Sequence, residues 1–176
     1  MTGPAVTGPA VAAPAVAGRA VAGGCLICEL ERAAPGAVVF RDELWAAEVA
    51  PGYEVPGWFF LRVRRHAELL TGLDDAELTA FGRRARDLVA AVTEATGAPA
   101  TYLLHFGENY RHFHALVAAR GADIPAARRG GNILGLRPGH VDLAAAVALV
   151  PDVRAAYERT AAASRTAAAS RTEGPA

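Results

Sequence analysis

Two histidines, His112 and His114, stand two positions apart inside an apolar run. In a β-strand, side chains two positions apart point to the same face, so both imidazoles would share one face with Leu116. Near neutral pH, imidazole can serve as a nucleophile, a general base or a metal ligand. The spacing is equally compatible with a half-buried strand that carries two incidental histidines, because so short a motif has little specificity.

The two cysteines, Cys25 and Cys28, form a single Cys-x-x-Cys pair. One such pair is not a secreted disulfide framework. It indicates metal or redox chemistry in a reducing compartment, and we therefore expect a cytoplasmic protein. The alternative is a pair of reduced cysteines that pack as small apolar side chains.

The chain has 176 residues, and its 18 basic residues balance its 18 acidic residues to a formal net charge of zero. The length indicates one domain with a sizeable core. A net charge of zero provides no bulk electrostatic attraction to nucleic acid or to a membrane surface. We therefore expect neither DNA, RNA nor a membrane as a partner.

Both ends of the chain have low-complexity sequence. Residues 1–24 repeat Pro-Ala-Val and Gly-Pro-Ala, and residues 161–176 contain a second copy of the segment Ala-Ala-Ala-Ser-Arg-Thr. The first segment lacks the pattern of a signal peptide, and its prolines and glycines argue against a transmembrane helix. We expect residues 1–24 to be a disordered tail, residues 25–160 to form a domain with a C-terminal helical extension, and residues 161–176 to be a second tail.

Apolar runs bounded by turn residues predict five strands. They are Ala37–Arg41, Leu44–Val49, Trp58–Val63, Thr101–Phe106 and His112–Ala119.

A long helix is predicted between the third and fourth strands. Asp74 and Glu77 have the spacing of a capping box at its start, and Gly97 lies at its end. A terminal helix is predicted over Asp142–Thr160, with a break or kink at Pro151. This order predicts an α+β fold with a mostly antiparallel five-stranded sheet, one long helix and shorter helices. Apolar residues at intervals of three and four predict the buried face of the long helix: Leu78, Phe81, Ala85, Leu88 and Val92.

The order of these motifs resembles the histidine-triad (HIT) family over about residues 25–136. The family's defining strand reads His-x-His-x-His, followed by two apolar residues and Pro-Arg. Here His112, His114 and Leu116 fall on the three histidine positions and Arg120 falls on the arginine, whereas a register that starts at Tyr110 loses the arginine match. The other matching pieces are Phe40-Arg-Asp-Glu-Leu-Trp45, the stretch from Pro56-Gly57 to Arg65-His66, and Phe106-Gly107-Glu108.

The resemblance implies a HIT-like fold and a homodimeric nucleotide hydrolase or nucleotidyl transferase. In the family, the middle histidine attacks the α-phosphate, and water or an acceptor then resolves the covalent nucleotidyl-histidine. By that mapping, His114 is the nucleophile and His112 is a second catalytic residue, with Arg111, Asn109 and Leu116 at the substrate. The implied substrates are mononucleotide or dinucleotide derivatives, such as a dinucleoside polyphosphate or a nucleoside phosphoramidate.

The chain departs from the family at two places. Leu116 replaces the third histidine and can neither donate a hydrogen bond to a phosphate nor transfer a proton. The Gly-Gln-Ser/Thr run that precedes the triad in many relatives is also absent. The third position is glutamine in the more distant galactose-1-phosphate uridylyltransferases, so histidine is not obligatory there. Two alternatives therefore remain open, a nucleotide-binding protein with weakened turnover and a zinc-stabilised interaction module.

The resemblance also implies a structural zinc site, as in the zinc-bearing Cys-x-x-Cys branch of the family. Cys25 and Cys28 form one close pair of ligands. His66 and His112 are the two distant ligands that the resemblance supplies, and together they complete the four-ligand set of structural zinc.

Overall fold

Five strands form one antiparallel sheet, as predicted, and the fifth strand along the chain lies between the third and the fourth. The structure, a computed structural model, describes residues 24–49 and 51–172, and the side chains only as far as residue 167. Most of the predicted tail 1–24 therefore lies outside the described residues. The strands are β1 (Val38–Arg41), β2 (Trp45–Glu48), β3 (Trp58–Val63), β4 (Ala100–Leu104) and β5 (His114–Arg120).

The first three strands follow local sequence signals. Between β1 and β2, the Asp42 carboxylate accepts hydrogen bonds from the backbone N–H groups of Leu44 and Trp45, which closes the predicted turn. All six residues of β3 are buried, including the charged Arg62, and the other five are apolar, as expected of a central strand. The strand β5 begins at His114 and not at the predicted His112, because the N–H group of His112 bonds to the Tyr110 carbonyl in a tight turn.

Helix α1 (Leu26–Glu29) precedes the sheet, and helix α2 (Asp75–Thr96) lies between β3 and β4. The capping box predicted for α2 is present, and Gly97 ends the helix in the left-handed conformation at φ 63°. One residue of the predicted apolar face is wrong, since Leu78 is 43% exposed. Glu77, one position earlier in the helix, is buried instead, because Arg65 binds the carboxylate of Glu77. Neighbouring positions of a helix face different directions, so Leu78 faces solvent.

The C-terminal region contains three helices, α3 (Arg137–His140), α4 (Leu143–Ala148) and α5 (Val150–Thr172). The break predicted at Pro151 is present, because proline fits the first turn of α5 but not the interior of a continuous helix. Helix α5 packs against α2, and it includes most of the residues predicted as a second tail. Among the described residues, no single helix is long and apolar enough to cross a membrane, although one sharply bent pair passes that test by length and composition alone.

The two faces of the sheet carry separate apolar clusters. The first cluster lies under α2 and α5 and includes Phe59, Phe113 and Val117. The second lies on the opposite face and includes Phe60 and Leu116. Alternation along the strands therefore directs Phe113 into the core beneath the helices, while His114 faces the side of the sheet that carries the site.

Candidate functional site

A cluster of four metal-ligating side chains lies where the N-terminal segment meets the sheet. One ligand atom from each residue, a thiol sulfur or an imidazole nitrogen, lies within 4.8 Å of all the others. Cys25 is the N-cap residue of α1 and Cys28 lies within that helix, so both face one direction, three positions apart. His66 follows β3, and the buried His112 precedes β5.

The distances and the protonation geometry of this cluster fit a tetrahedral metal ion. The Nδ1 atom of His112 lies 3.4 Å from the sulfur of Cys25 and 3.3 Å from that of Cys28, which is also 3.3 Å from Nδ1 of His66. Ligands around one tetrahedral zinc place sulfur and nitrogen about 3.5 Å apart. The Nε2–H group of His112 donates to the Val63 carbonyl at 2.7 Å, which leaves the Nδ1 lone pair facing the thiols.

The pKa shifts of two side chains in the cluster bear on its ability to bind a metal ion. Burial and the neighbouring Cys25 thiol raise the pKa of Cys28 to about 11. Burial lowers the pKa of His112 to about 4, so its imidazole is neutral near pH 7, as a metal ligand must be. Zn²⁺ binds histidine as the neutral imidazole and cysteine as the thiolate, so binding of the ion would displace the thiol protons.

His114 lies next to this cluster at the start of β5. Its Nδ1–H group donates to the carbonyl oxygen of His112 at 2.6 Å, so the lone pair of the neutral ring is on Nε2. Burial lowers the pKa of His114, which keeps the ring neutral. The ring packs against Phe60 at 4.8 Å between centroids and is T-shaped to Tyr110 at 5.8 Å. Packing and the hydrogen bond together hold one orientation of a nucleophilic nitrogen.

His114 forms part of the wall of a cavity of about 240 Å³. Most of the lining residues have aromatic or aliphatic side chains, and Glu108 and Asn109 contribute polar groups at the loop after β4. Such a mixture of apolar side chains and polar groups is compatible with a small-molecule site. The complete lining is Tyr53, Phe60, Leu104, Phe106, Gly107, Glu108, Asn109, Tyr110, His114, Leu116 and Leu134.

The structure brings some of the predicted substrate-site residues together and separates others. His114, Asn109 and Leu116 line the cavity. His112 does not, because one ring nitrogen faces the thiols and the other binds Val63. Arg111 also lies outside the lining, where its side chain is 79% exposed and forms an ion pair with Glu68 at 2.9 Å.

His105 follows the last residue of β4. Its Nδ1–H group donates to the carbonyl oxygen of His114 at 2.7 Å, and its ring packs against Phe113. His105 therefore fastens the end of β4 to the backbone of His114 and does not line the cavity.

A buried ion-pair network beside the metal-ligand cluster was missed by the sequence analysis. The fully buried Arg62 binds Glu48 at 2.6 Å and Glu31 at 3.0 Å, and Arg64 also binds Glu31 at 3.0 Å. The network fastens the segment after the Cys-x-x-Cys pair to β2 and β3. A charged residue within each apolar strand was the available signal, because a buried charge requires a partner.

The chain is similar in structure to several solved proteins. No protein-family model and no curated protein sequence matches the chain. A histidine-triad nucleotide-binding protein from Sulfolobus tokodaii, described as hypothetical, superposes with a TM-score of 0.60 at 17% identity, over 77% of this chain and 93% of that one. A zinc-bound histidine-triad family protein from Mycobacterium smegmatis superposes with a TM-score of 0.57 at 17% identity, over 80% and 97% of the two chains.

A uridylyltransferase also shares this architecture, with a TM-score of 0.56 at 22% identity. The match covers 78% of this chain but 46% of the uridylyltransferase, which is a longer protein. These likenesses establish that the chain has the histidine-triad fold, and the predicted fold class is confirmed.

Proposed function

We propose that this protein is a nucleotide hydrolase or nucleotidyl transferase that acts on the α-phosphate of a nucleoside phosphate derivative through His114. The observation that carries the proposal is the hydrogen bond from Nδ1 of His114 to the His112 carbonyl, which places the lone pair on Nε2 in the wall of a cavity. Support also comes from the similar solved structures, which include a histidine-triad nucleotide-binding protein and a uridylyltransferase.

The proposed reaction has two displacements at phosphorus. In the first, Nε2 of neutral His114 forms a bond to the α-phosphorus while the bond to the leaving group breaks and its electron pair departs with that group. The imidazole becomes cationic, and the His112 carbonyl oxygen stabilises that charge through the Nδ1–H hydrogen bond. In the second, water or an acceptor hydroxyl attacks phosphorus, the Nε2–P bond breaks, and a proton passes to solvent.

We infer that Cys25, Cys28, His66 and His112 bind one structural zinc ion. Four protein donors fill a tetrahedral shell, which is the composition of a structural site and not of a catalytic one. When bound, the ion would connect α1 to the ends of β3 and β5 and would stabilise the backbone at His112. The proposed thiol ligands require reducing conditions, and this is our reason for expecting a cytoplasmic protein.

We also propose that the chain forms a homodimer through β4, which is one of the two edge strands of the sheet. Two large apolar side chains on or just after this strand are exposed, Leu103 at 43% and Phe106 at 63%. An uncovered edge strand with exposed apolar groups is a surface that a second strand can cover.

The second candidate function is a nucleotide-binding protein with little turnover. The observation that favours it is the apolar surface that Leu116, Phe60 and Leu104 present next to His114. A leucine side chain provides no hydrogen bond to the phosphoryl oxygens, so the transition state would have less electrostatic stabilisation than a histidine at this position could supply.

The test compares purified wild-type protein with His114→Ala. Each is incubated with dinucleoside polyphosphates and nucleoside phosphoramidates of all four bases, and products are measured by chromatography. We expect wild-type turnover and a fall of at least about a thousandfold in His114→Ala, because the covalent route is removed. Trapping of a nucleotidyl group on His114, detected by mass spectrometry, identifies the intermediate. Binding without turnover supports the second candidate, and equal turnover by both proteins contradicts the role of His114.

A further inference from the structure

An arginine that the sequence motifs do not include contacts a lining residue of the cavity, although it is not itself one of the lining residues. Arg137 begins helix α3, and its guanidinium group lies over the ring of Tyr53 at 4.8 Å from the centroid. Tyr53 lines the cavity and packs against Phe60, which in turn packs against His114. The positive charge of Arg137 also acts on the hydroxyl of Tyr110, another residue of the lining.

The guanidinium group of Arg137 has N–H donors with which it could bind a ligand. The contact with Tyr53 is an attraction between the cation and the face of the aromatic ring, so it does not require an oxygen acceptor for the N–H donors of the guanidinium. Among the residues that the structure describes, no carboxylate forms an ion pair with Arg137, whereas Arg111 is paired with Glu68. A half-buried cation with this geometry suits an anion that arrives with a ligand, and phosphate accepts two parallel hydrogen bonds from arginine.

The side chain of Leu116 also limits which leaving groups can depart from phosphorus. An amine that departs from phosphorus needs a proton, and Leu116 has none to give. A phosphate or a nucleoside polyphosphate is stable as an anion and departs without one. The apolar side chain at the third triad position therefore favours cleavage of a phosphoanhydride, and Arg137 provides a positive charge for an anionic leaving group.

We propose that Arg137 is a specificity-determining residue that binds a phosphate beyond the one attacked, so that the substrates are nucleoside polyphosphates and not phosphoramidates. This inference rests on the proposed function, since it requires attack by His114. It assigns a contact with the substrate to an arginine outside the triad strand, in addition to the residues that the resemblance placed at the substrate.

The test measures binding to the full-length, zinc-loaded protein by calorimetry. The probes are a nucleoside 5′-monophosphate and the corresponding α,β-methylene triphosphate, which resists cleavage, for each of the four bases. Arg137→Gln should weaken binding of the triphosphate analogue by roughly 10- to 100-fold and that of the monophosphate by less than about threefold, because a hydrogen bond to a charged group is lost only for the longer ligand. Arg137→Lys should lie between the two, since it keeps the charge without the planar fork.

Two further variants make the result specific to this position. Arg129→Gln removes an arginine of the neighbouring segment whose guanidinium donates to the Ile124 carbonyl, and it should leave both affinities unchanged. Arg111→Gln tests the other candidate arginine.

In a turnover assay, wild-type protein should prefer a dinucleoside polyphosphate to the phosphoramidate of the same nucleoside, and Arg137→Gln should reduce that preference.

The outcomes separate this inference from the proposed function. Failure of the wild-type protein to bind any nucleotide overturns both. Wild-type binding of the triphosphate analogue with no effect of Arg137→Gln overturns the role of Arg137 alone. An equal loss for monophosphate and triphosphate means that Arg137 contacts the nucleoside or the attacked phosphate, and a loss confined to Arg111→Gln transfers the contact to that residue. Either result rejects the proposal, as does preferential turnover of the phosphoramidate.

Discussion

The Nδ1 atom of His114 lies 2.6 Å from the carbonyl oxygen of His112, so the proposed nucleophile is oriented by the backbone of a proposed metal ligand. The side chain of His112 faces the thiols of Cys25 and Cys28, while its carbonyl faces the neighbouring imidazole. A metal ion at the four donors would therefore stabilise the peptide group that selects the tautomer of His114. The proposed zinc site and the proposed reaction site are adjacent, and each uses a different part of His112.

Removal of one thiol should remove the metal. We expect wild-type protein to contain close to one zinc per chain by atomic emission spectroscopy and Cys28→Ala to contain almost none. Metal binding to such a site is coupled to folding, so the melting temperature of Cys28→Ala should fall by at least about 5 °C. His140→Ala is the control, because His140 is exposed and lies outside the cluster. Metal-free wild-type protein whose melting is unaffected by a chelator would contradict the zinc proposal.

Restoration of the third histidine separates a slow enzyme from a binding protein. Leu116→His places a hydrogen-bond donor in the cavity wall two residues from His114. If turnover is limited by missing stabilisation of the phosphoryl oxygens, kcat should rise by about 10- to 100-fold, since one well-placed donor contributes a few kcal/mol to a transition state. Leu116→Met is the control for packing, because it conserves volume without adding a donor. An unchanged or lower kcat in Leu116→His would show that the wild-type rate is not limited at this position.

The exposed edge of the sheet gives a prediction about assembly. Leu103 on β4 is 43% exposed, and Leu103→Arg should shift the chain from dimer to monomer at micromolar concentration, because a two-fold interface brings two copies of the same patch together. Leu69→Arg changes a leucine that is 54% exposed and lies outside β4, and it should leave the dimer intact. Analytical ultracentrifugation measures both. A wild-type chain that sediments only as a monomer contradicts the dimer proposal.

The turn before β3 gives a prediction about stability. Gly57 has φ of +83°, and a Cβ atom there would lie 2.9 Å from Cβ of Ala119 and 3.1 Å from Cγ2 of Thr96. Gly57→Ala should therefore reduce the free energy of unfolding by about 1–3 kcal/mol, measured with urea. The control Gly82→Ala lies in α2 with open space around the new methyl group, and it should increase stability by about 0.5–1 kcal/mol. Equal stability of Gly57→Ala and the wild type would contradict this account of the turn.

Acid should weaken the attachment of the N-terminal segment. Hydrogen bonds from Arg64, and then from Arg62, lower the pKa of Glu31 from 4.5 to about 2. A lowered pKa in the folded state means that Glu31 contributes stability above pH 4.5, and the contribution is lost as the pH falls to about 2. Glu31 is a third exposed, so we expect no more than about 1–2 kcal/mol.

The measurement is the difference in free energy of unfolding between wild type and Glu31→Gln across this range of pH. The difference should be present at pH 6 and should vanish near pH 2, and the contributions of other titrating groups cancel in the comparison. A difference that does not depend on pH would contradict the ion-pair account.

Local patterns were sufficient to predict most of the elements. The run after Gly57, apolar except for Arg62, defined β3 to the residue. The side chains of Asp74 and Glu77 defined the start of α2, because capping depends on neighbours in the chain. The spacing of Cys25 and Cys28 likewise indicated a close pair of metal ligands before any distance was known.

Only the tertiary structure decided which distant groups meet. It brings His66 and His112 to the cysteines, takes both ring nitrogens of His112 away from the cavity, and pairs Arg111 with Glu68 outside it. It also places Arg137 beside the cavity, from a segment with no chemical motif. The physical reason is that a residue's type and spacing determine what its side chain can do, whereas the direction in which it acts depends on hydrogen bonds and burial between residues that are far apart in the sequence.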